Sequence, residues 1–268
     1  MNFLSKIVLL LLTGLMAVTG ILYFKIDKNY KEQQAMHSAV LGKIEDMNKR
    51  TAATAEQPTP APDQPKLYGL DISHWDGDIV QDIPRIDRIS FLICKATQGV
   101  AGIDPDFKRN WALIKQRGAM RGAYHFYLYT DDPISQATHF CNTVGPLTEK
   151  DISLVLDIEE LSLPRSGVDK EKLQQDVIMF LDEVENRINR RPIIYADFAF
   201  ANEYLDRAEF AGYPLWLAEY SGGALPLIPD TWKDSGYFIW QKSDKYNVNS
   251  IEADFDVFEG TATALSVN

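Results

Sequence analysis

The sequence predicts an α/β protein whose folded part is a TIM-like barrel of eight strands. Short apolar stretches typical of strands alternate with amphipathic stretches typical of helices from about residue 66 onward. Acidic and aromatic residues gather where these strands end, which is where a parallel barrel places its chemistry. The chain has 268 residues, of which 46% are hydrophobic and 24% charged, and this is enough to enclose such a core.

Residues 1–28 are predicted to be a signal-anchor or transmembrane segment. Residues 7–24 carry no charge, and their length is close to the minimum for crossing a lipid bilayer. We favour a retained anchor, with a cleaved signal peptide as the alternative. Lysines are more numerous after this run than before it, so the positive-inside rule alone favours a cytoplasmic barrel.

Two further segments separate this run from the barrel. Residues 29–50 are predicted to form a helical stalk, because Met36, Val40 and Ile44 recur at helical spacing among polar residues. Residues 51–65 are rich in Pro, Ala and Thr and are expected to form an extended linker.

Residues 66–268 are assigned to the barrel. The eight strand candidates are residues 67–73, 89–95, 121–128, 152–159, 192–197, 214–220, 237–242 and 253–258. Helices are predicted from Asp104 to Gly118, from Asp132 to Val144, from Asp169 to Asn189 and from Ala199 to Ala208. No helical pattern follows Pro214, so the last three strands are expected to be joined by loops.

The stretch 152–159 reads as a buried strand that ends in two carboxylates. Alternation places Asp157 and Glu159 on one face, with Cα atoms about 7 Å apart. One such acid can protonate a leaving group while the other stabilises positive charge nearby. Acids also occur for structural reasons where a strand becomes a loop, so this pair alone leaves both interpretations open.

The other predicted strand ends add acids, aromatic rings and an amide. Carboxylates and amides hydrogen-bond to hydroxyl groups, and aromatic faces stack on sugar rings, so this lining favours a carbohydrate ligand. The candidate substrate-binding residues are Tyr124, His125, Tyr195, Trp216, Tyr220, Gln241 and Lys95. Trp75 and Trp240 are expected to face the cleft as well, and Lys95 to neutralise the acids.

Six segments, in order, resemble glycoside hydrolase family 25, the muramidase-type lysozymes. They read GLDISHWDG at 69–77, KATQG at 95–99, GAYHF at 122–126, LDIE at 156–159, LWLAEY at 215–220 and DFDVF at 254–258. The resemblance implies a (β/α)5(β)3 barrel that hydrolyses the β-1,4 bond between N-acetylmuramic acid and N-acetylglucosamine in peptidoglycan glycan strands. That substrate implies a barrel on the periplasmic or extracellular side, anchored by the N-terminal helix.

The resemblance also implies roles for four acids. Glu159 matches the general acid and Asp157 the carboxylate that assists the reacting sugar. Asp71 and Asp254 match two further active-site acids, with Asp256, two residues away, as the alternative to Asp254. Asp157 acts either as a direct nucleophile or by orienting the acetamide group of the substrate, and the resemblance favours the second. Gln98 departs from the family's usual KATEG segment, where a glutamate stands.

Composition and cysteine usage exclude several other classes. The formal net charge of −11 argues against a nucleic-acid partner. Cys94 and Cys141 lie on apolar patterns and are interpreted as buried thiols, with a disulfide as the alternative. We predict neither a cofactor nor a metal ion, and the sequence does not decide the oligomeric state. The rival functions are a catalytically silent peptidoglycan-binding module and a chitinase-type glycosidase.

Overall fold

The computed structural model of the chain describes residues 65–84 and 88–266. The predicted membrane segment 1–28, the stalk 29–50 and all but the last residue of the linker 51–65 lie outside the described residues. Within the described ranges, no helix is both long enough and apolar enough to span a bilayer.

The described residues form a closed barrel of eight strands with one additional short strand. The strands are β1 (Lys66–Ile72), β2 (Ile89–Gln98), β3 (Gly102–Ile103), β4 (Met120–Phe126), β5 (Val155–Asp157), β6 (Ile193–Asp197), β7 (Leu215–Ala218), β8 (Ile239–Val248) and β9 (Ile251–Glu259). β1 pairs with both β2 and β9, which closes the barrel, and β3 extends β2 as a hairpin. The prediction of an eight-stranded barrel is confirmed.

Apart from the short hairpin strand β3, which is antiparallel to β2, the strands from β1 through β8 pair in parallel, but β9 is antiparallel to both of its neighbours. A reversed strand brings its N-terminal half, and not its C-terminal half, to the barrel mouth. Asp71 on β1 therefore lies directly opposite Asp254 on β9. The sequence prediction, which treated all eight strands alike, did not foresee this reversal.

Five of the connections between successive barrel strands contain an α-helix. The helices are α1 (Ile79–Asp82), α2 (Phe107–Arg117), α3 (Pro133–Val144), α4 (Lys170–Ile188), α5 (Phe198–Tyr204) and α6 (Ala262–Ser266). The first five follow β1, β3, β4, β5 and β6, whereas only a 3-10 turn, Asp230–Trp232, lies between β7 and β8. The described fold thus has the (β/α)5(β)3 order, and α1 and α6 are the two helices that the sequence pattern did not predict.

Local signals explain why the longest helix was predicted well. The Asp169 side chain accepts a hydrogen bond from the backbone N–H of Lys172 at 3.1 Å and so caps the N-terminus of α4. Asn189 ends the helix in the left-handed conformation with φ 54°. Between these caps, the buried stripe that begins at Leu173 packs toward the sheet.

The interior of the barrel is apolar at depth and becomes polar toward the mouth. Its apolar cluster comprises Phe91, Ile93, Ile152, Val155, Ile193, Trp216, Ile239, Phe258 and Leu265. Because inward positions recur every second residue, Ile93 is followed by Lys95 and Val155 by Asp157. The polar groups of the candidate site therefore rest on a hydrophobic floor.

Close packing at this floor requires glycine at one position of β1. A Cβ atom built on Gly69 would lie 2.2 Å from a ring carbon of Phe91, far inside van der Waals contact. Glycine at this position lets the β1 backbone approach the aromatic ring of the neighbouring strand.

One strand is shorter than the sequence predicts. β5 contains only three residues, and Ile152, expected on the face of Leu154, belongs to the interior cluster with Val155. The backbone between these residues is irregular, so strict alternation does not extend over the whole predicted stretch.

Cys94 and Cys141 are both buried and free, which confirms their interpretation as thiols.

Candidate active site

An amide at the barrel mouth connects two tyrosines to one of the predicted acids. The Nε2 atom of Gln241 donates to Asp71 Oδ2 at 2.7 Å, and its Oε1 accepts the hydroxyl of Tyr195 at 2.9 Å. The hydroxyl of Tyr220 donates to the same Oε1 atom. Because two phenolic donors occupy the carbonyl oxygen, the amide nitrogen is directed at Asp71.

Asp71 belongs to a group of three carboxyls contributed by β1 and β9. Asp254 lies directly opposite it in the β1–β9 pairing, and the charges of Asp254 and Asp256 both act on its carboxyl. Burial raises the pKa of Asp71 well above its ordinary value, and repulsion from Asp254 and Asp256 raises it further. Burial, followed by the charges of Asp76 and Asp244, raises the pKa of Asp254 to about 7.

Asp256 is the deepest member of this group and is fully buried. Its Oδ1 atom accepts the indole N–H of Trp216 at 2.8 Å, while its buried Oδ2 atom has no donor from the described residues. Burial and the neighbouring Asp254 raise the pKa of Asp256 well above its usual range. A protonated, neutral carboxyl at this position costs less free energy to bury than an ionised one.

Asp157 and Glu159 lie at the end of β5 and in the turn that follows it. Asp157 is buried, and its Oδ1 atom has no hydrogen-bond partner among the described residues. Glu159 caps the 3-10 turn Glu160–Ser162, and its backbone N–H donates to Ser162 Oγ at 3.1 Å. The neighbouring Glu160 is exposed.

The two acids keep their protons more tightly than exposed carboxyls do. Burial raises the pKa of Glu159 to about 7, with smaller contributions from Asp197 and Asp254, and Lys95 opposes the shift. Burial and the nearby Glu159 raise the pKa of Asp157 well above its usual value, again against the charge of Lys95. At neutral pH, Glu159 is therefore a proton donor beside a second carboxyl that competes for the same proton.

Lys95 is the cation that faces these acids. Its Nζ atom donates to Gln98 Oε1 at 2.9 Å and lies 4.6 Å from the ring centroid of Phe126. Burial lowers the pKa of Lys95, and the charges of Asp157, Asp104 and Glu159 partly offset the effect. Because Gln98 is neutral, the hydrogen bond fixes the ammonium group without cancelling its charge.

Two predicted substrate-binding residues do not reach the cleft. His125 is fully buried behind the sheet, where Thr97 Oγ1 and Gln136 Oε1 lie 2.7 and 3.1 Å from its two ring nitrogens. Tyr124 faces the barrel interior, so alternation turns His125 outward toward the helices. Trp216 faces inward but lies in the apolar floor, with only 2% of its surface exposed.

The other aromatic residues that were predicted to line the cleft also include both exposed and buried side chains. Tyr124, Tyr195 and Tyr220 are partly exposed at the mouth, as a cleft lining requires. Trp240 is buried, with its indole N–H donated to the carbonyl of Glu219 at 2.8 Å, so its expected cleft exposure is wrong. Trp75 is 84% exposed, and its ring centroid lies 4.3 Å from that of His74.

Two contributors to the site were not singled out from the sequence. Asp197 ends β6 and caps α5 through the N–H of Phe200, and its charge acts on Glu159. The carboxylate of Asp76 accepts the backbone N–H of Ser73, and its charge helps to raise the pKa of Asp254. Both occur at a strand end or in the loop just after it, which is the signal that could have identified them.

Across the described ranges, no group of three or more His, Cys, Asp or Glu side chains has an arrangement suited to a metal ion.

The barrel and its site define a class of protein. A carboxyl that is protonated near neutral pH, a second carboxyl beside it and a lining of tyrosines and an amide are the groups that a glycosidase uses. A family model agrees, since the description glycosyl hydrolases family 25 matches residues 70–251. The chain belongs to this family and is a glycoside hydrolase.

Similarity to individual proteins extends over most of the barrel. The chain is 34% identical over 208 residues to the uncharacterized protein YegX of Escherichia coli, covering 74% of this chain and 72% of that protein. It is 30% identical over 195 residues to the autolytic lysozyme of Clostridium acetobutylicum, covering 72% and 55% of the two chains. The crystal structure of a bacterial lysozyme from Streptomyces coelicolor superposes with a TM-score of 0.68 at 26% identity, covering 75% and 95%.

Proposed function

We propose that this chain is an N-acetylmuramidase that cleaves the β-1,4 bond between N-acetylmuramic acid and N-acetylglucosamine in peptidoglycan. The observation that carries the proposal is the pairing of Asp157 and Glu159 at the mouth, where burial raises the pKa of Glu159 to about 7. Similarity to proteins named lysozyme and muramidase supports the choice of substrate.

In the proposed reaction, Glu159 donates its proton to the glycosidic oxygen as the bond to the anomeric carbon breaks. The acetamide oxygen of the muramic acid attacks that carbon, while Asp157 accepts the acetamide N–H. The buried, unpartnered Oδ1 atom of Asp157 supports this role because it lacks a donor from the described residues. Water then attacks the anomeric carbon and opens the cyclic intermediate, and Glu159 accepts a proton from that water.

The remaining polar groups hold this pair and the sugar in place. Gln241 and the two tyrosines that donate to it fix Asp71 at one side of the cleft. Lys95 opposes the protonation of Asp157 and Glu159, because its positive charge favours the ionised form of both carboxyls. Tyr124 stays a neutral hydroxyl because burial and the nearby Asp157 raise its pKa.

The test is product analysis by mass spectrometry after incubation with peptidoglycan. Wild type is expected to release fragments with N-acetylmuramic acid at the reducing end, and Glu159→Gln to release almost none. The exposed neighbour Glu160 provides the matched control, because Glu160→Gln makes the same substitution one residue away and is expected to retain activity. Intact glycan after treatment with wild type, with binding retained, would indicate a silent binding module, and cleavage of chitin oligomers alone would indicate a chitinase-type enzyme.

The location of the barrel is part of this proposal. Residues 7–24 are assigned as a membrane anchor that leaves the barrel on the periplasmic or extracellular side, because peptidoglycan lies there. A reporter fused after Asn268 is expected to report a position outside the cytoplasm. A cytoplasmic readout would contradict the proposed substrate as well as the topology.

A further inference from the structure

Exposed apolar side chains gather at the rim of the barrel mouth. Within the part of the chain that the structure describes, the large hydrophobic side chains that are strongly exposed are Trp75, Val100, Ile103, Leu161, Met179 and Leu225. All except Met179, which lies on the outer helix α4, belong to a turn, loop or hairpin that follows the carboxyl end of a barrel strand. One exposed apolar residue alone needs no explanation, but five around the same rim indicate a surface that contacts a ligand.

Trp75 is the aromatic member of this set and is 84% exposed. It lies in the 3-10 turn His74–Asp76, which comes directly after β1 and so after the candidate acid Asp71. The charge of the next residue, Asp76, acts on both Asp71 and Asp254. The indole is therefore attached to a turn that reaches the acids of the site.

The turn that carries Trp75 is fixed at both ends. Asp76 Oδ2 accepts the backbone N–H of Ser73 at 2.7 Å, and Ser73 Oγ accepts the N–H of Trp75 at 3.2 Å. Asp104 Oδ2 accepts the backbone N–H of His74 at 3.1 Å and lies 2.7 Å from Nδ1 of the same residue. The His74 ring packs beside the indole, with centroids 4.3 Å apart. Because the turn is already ordered, less conformational entropy is lost when a ligand binds the open side of the indole.

We propose that Trp75 binds a sugar ring of the glycan strand at the rim of the cleft, by stacking its open indole face on the C–H face of that sugar. The inference rests on the proposed muramidase function for the identity of the strand, and it adds a substrate-binding residue to that function. The chain is a glycoside hydrolase, and a polysaccharide that is cleaved at Asp157 and Glu159 extends past the rim. Aromatic faces bind sugar rings, which the aliphatic rim residues cannot do in the same way.

Acrylamide quenching of tryptophan fluorescence tests this contact directly. The other four tryptophans of the chain are buried or half-buried, namely Trp111, Trp216, Trp232 and Trp240. The difference in quenching between the full-length chain and its Trp75→Phe variant therefore isolates Trp75. Both proteins carry Glu159→Gln to prevent cleavage. Soluble peptidoglycan glycan strands are expected to remove most of this difference, and chitin oligomers serve as a second probe.

Steady-state kinetics on the same strands separate binding from catalysis. Trp75→Ala should raise KM by about two- to tenfold, the range that one aromatic contact supplies. The value of kcat should stay near that of wild type, because Asp157 and Glu159 lie at the end of another strand, β5. Trp75→Phe keeps an aromatic face and should recover part of the loss. Met179→Ala is the matched control, because it removes an exposed apolar side chain from α4, and it should change neither constant.

Two results would overturn the role of Trp75. One is an unchanged KM in Trp75→Ala, and the other is quenching of Trp75 that neither glycan reduces. Wild type that leaves the strands uncleaved would instead overturn the proposed function. The chitin oligomers would then decide on Trp75 alone, because protection of the indole by them would still support sugar stacking and its absence would exclude it.

Discussion

Replacing Glu159 by Gln is expected to stabilise the folded chain at alkaline pH while abolishing activity. An exposed glutamate titrates near 4.5, whereas burial first and Asp197 second raise the pKa of Glu159 to about 7. The folded chain therefore holds this proton more tightly than the unfolded chain does, and the free energy of unfolding depends on pH.

The sign follows from the two pKa values. Below pH 4.5 the carboxyl is protonated in both states, so its full contribution to stability is present. As pH rises through about 7 that contribution is lost, because the folded chain must then ionise a buried acid. The difference of 2.5 units between 4.5 and about 7 sets an upper limit of about 3 kcal/mol, at roughly 1.4 kcal/mol per unit.

Urea unfolding of wild type and Glu159→Gln at pH 4 and pH 8.5 measures this effect directly. The two proteins should unfold at similar urea concentrations at pH 4, and the variant should be more stable by up to about 3 kcal/mol at pH 8.5. Glu160→Gln is the control and should show a much smaller gain, because Glu160 is exposed. A variant no more stable than wild type at pH 8.5, or equally stabilised at both pH values, would refute the reasoning.

Three further perturbations follow from the site and its floor. Lys95→Met should raise the pKa of Glu159 and move the alkaline limb of the kcat/KM profile to higher pH, and a limb that moves to lower pH would contradict the role of Lys95. Asp256→Asn should retain most of the activity and stability, because a neutral amide still supplies both a hydrogen-bond acceptor and a donor. Asp256→Ala should lower the free energy of unfolding by about 1–3 kcal/mol in urea. If both variants lost the same amount of stability, a carboxylate charge at this position would be needed. Gly69→Ala should cost about 1–3 kcal/mol of stability by overpacking, and combining it with Phe91→Leu should recover part of the loss; no recovery would place the cost elsewhere.

Much of the barrel could be predicted because its signals are local. Capping residues such as Asp169 and Asn189 mark the ends of a helix within a few positions of the chain, and apolar runs mark the strands. The depth of a side chain inside the barrel is not a local property. Trp216 faces inward as alternation requires, yet it is set opposite Ile239 in the floor by the register between β7 and β8.

The prediction of adjacent cleft residues failed for a reason that the sequence already contained. Successive residues on a strand point to opposite faces, so Tyr124 and His125 could not both line the same cleft. Tyr124 is the inward one, and His125 packs against Phe140 and Phe180 of the helical layer with ring centroids 5.4 and 5.2 Å away. Alternation alone therefore excludes His125 from a cleft that Tyr124 lines.

Strand direction is the other feature that the sequence could have revealed. On the parallel strands the inward positions run from apolar to polar along the chain, as from Ile239 to Gln241, because each strand rises from the floor to the mouth. On β9 the order is reversed, since Asp254 and Asp256 precede Phe258, which belongs to the floor. Where the chemistry of a barrel lies at one rim, the order of polar and apolar inward residues therefore indicates which way a strand runs. The DFDVF segment carries this information in its own sequence, and it accounts for both the antiparallel pairing with β1 and the meeting of Asp71 with Asp254.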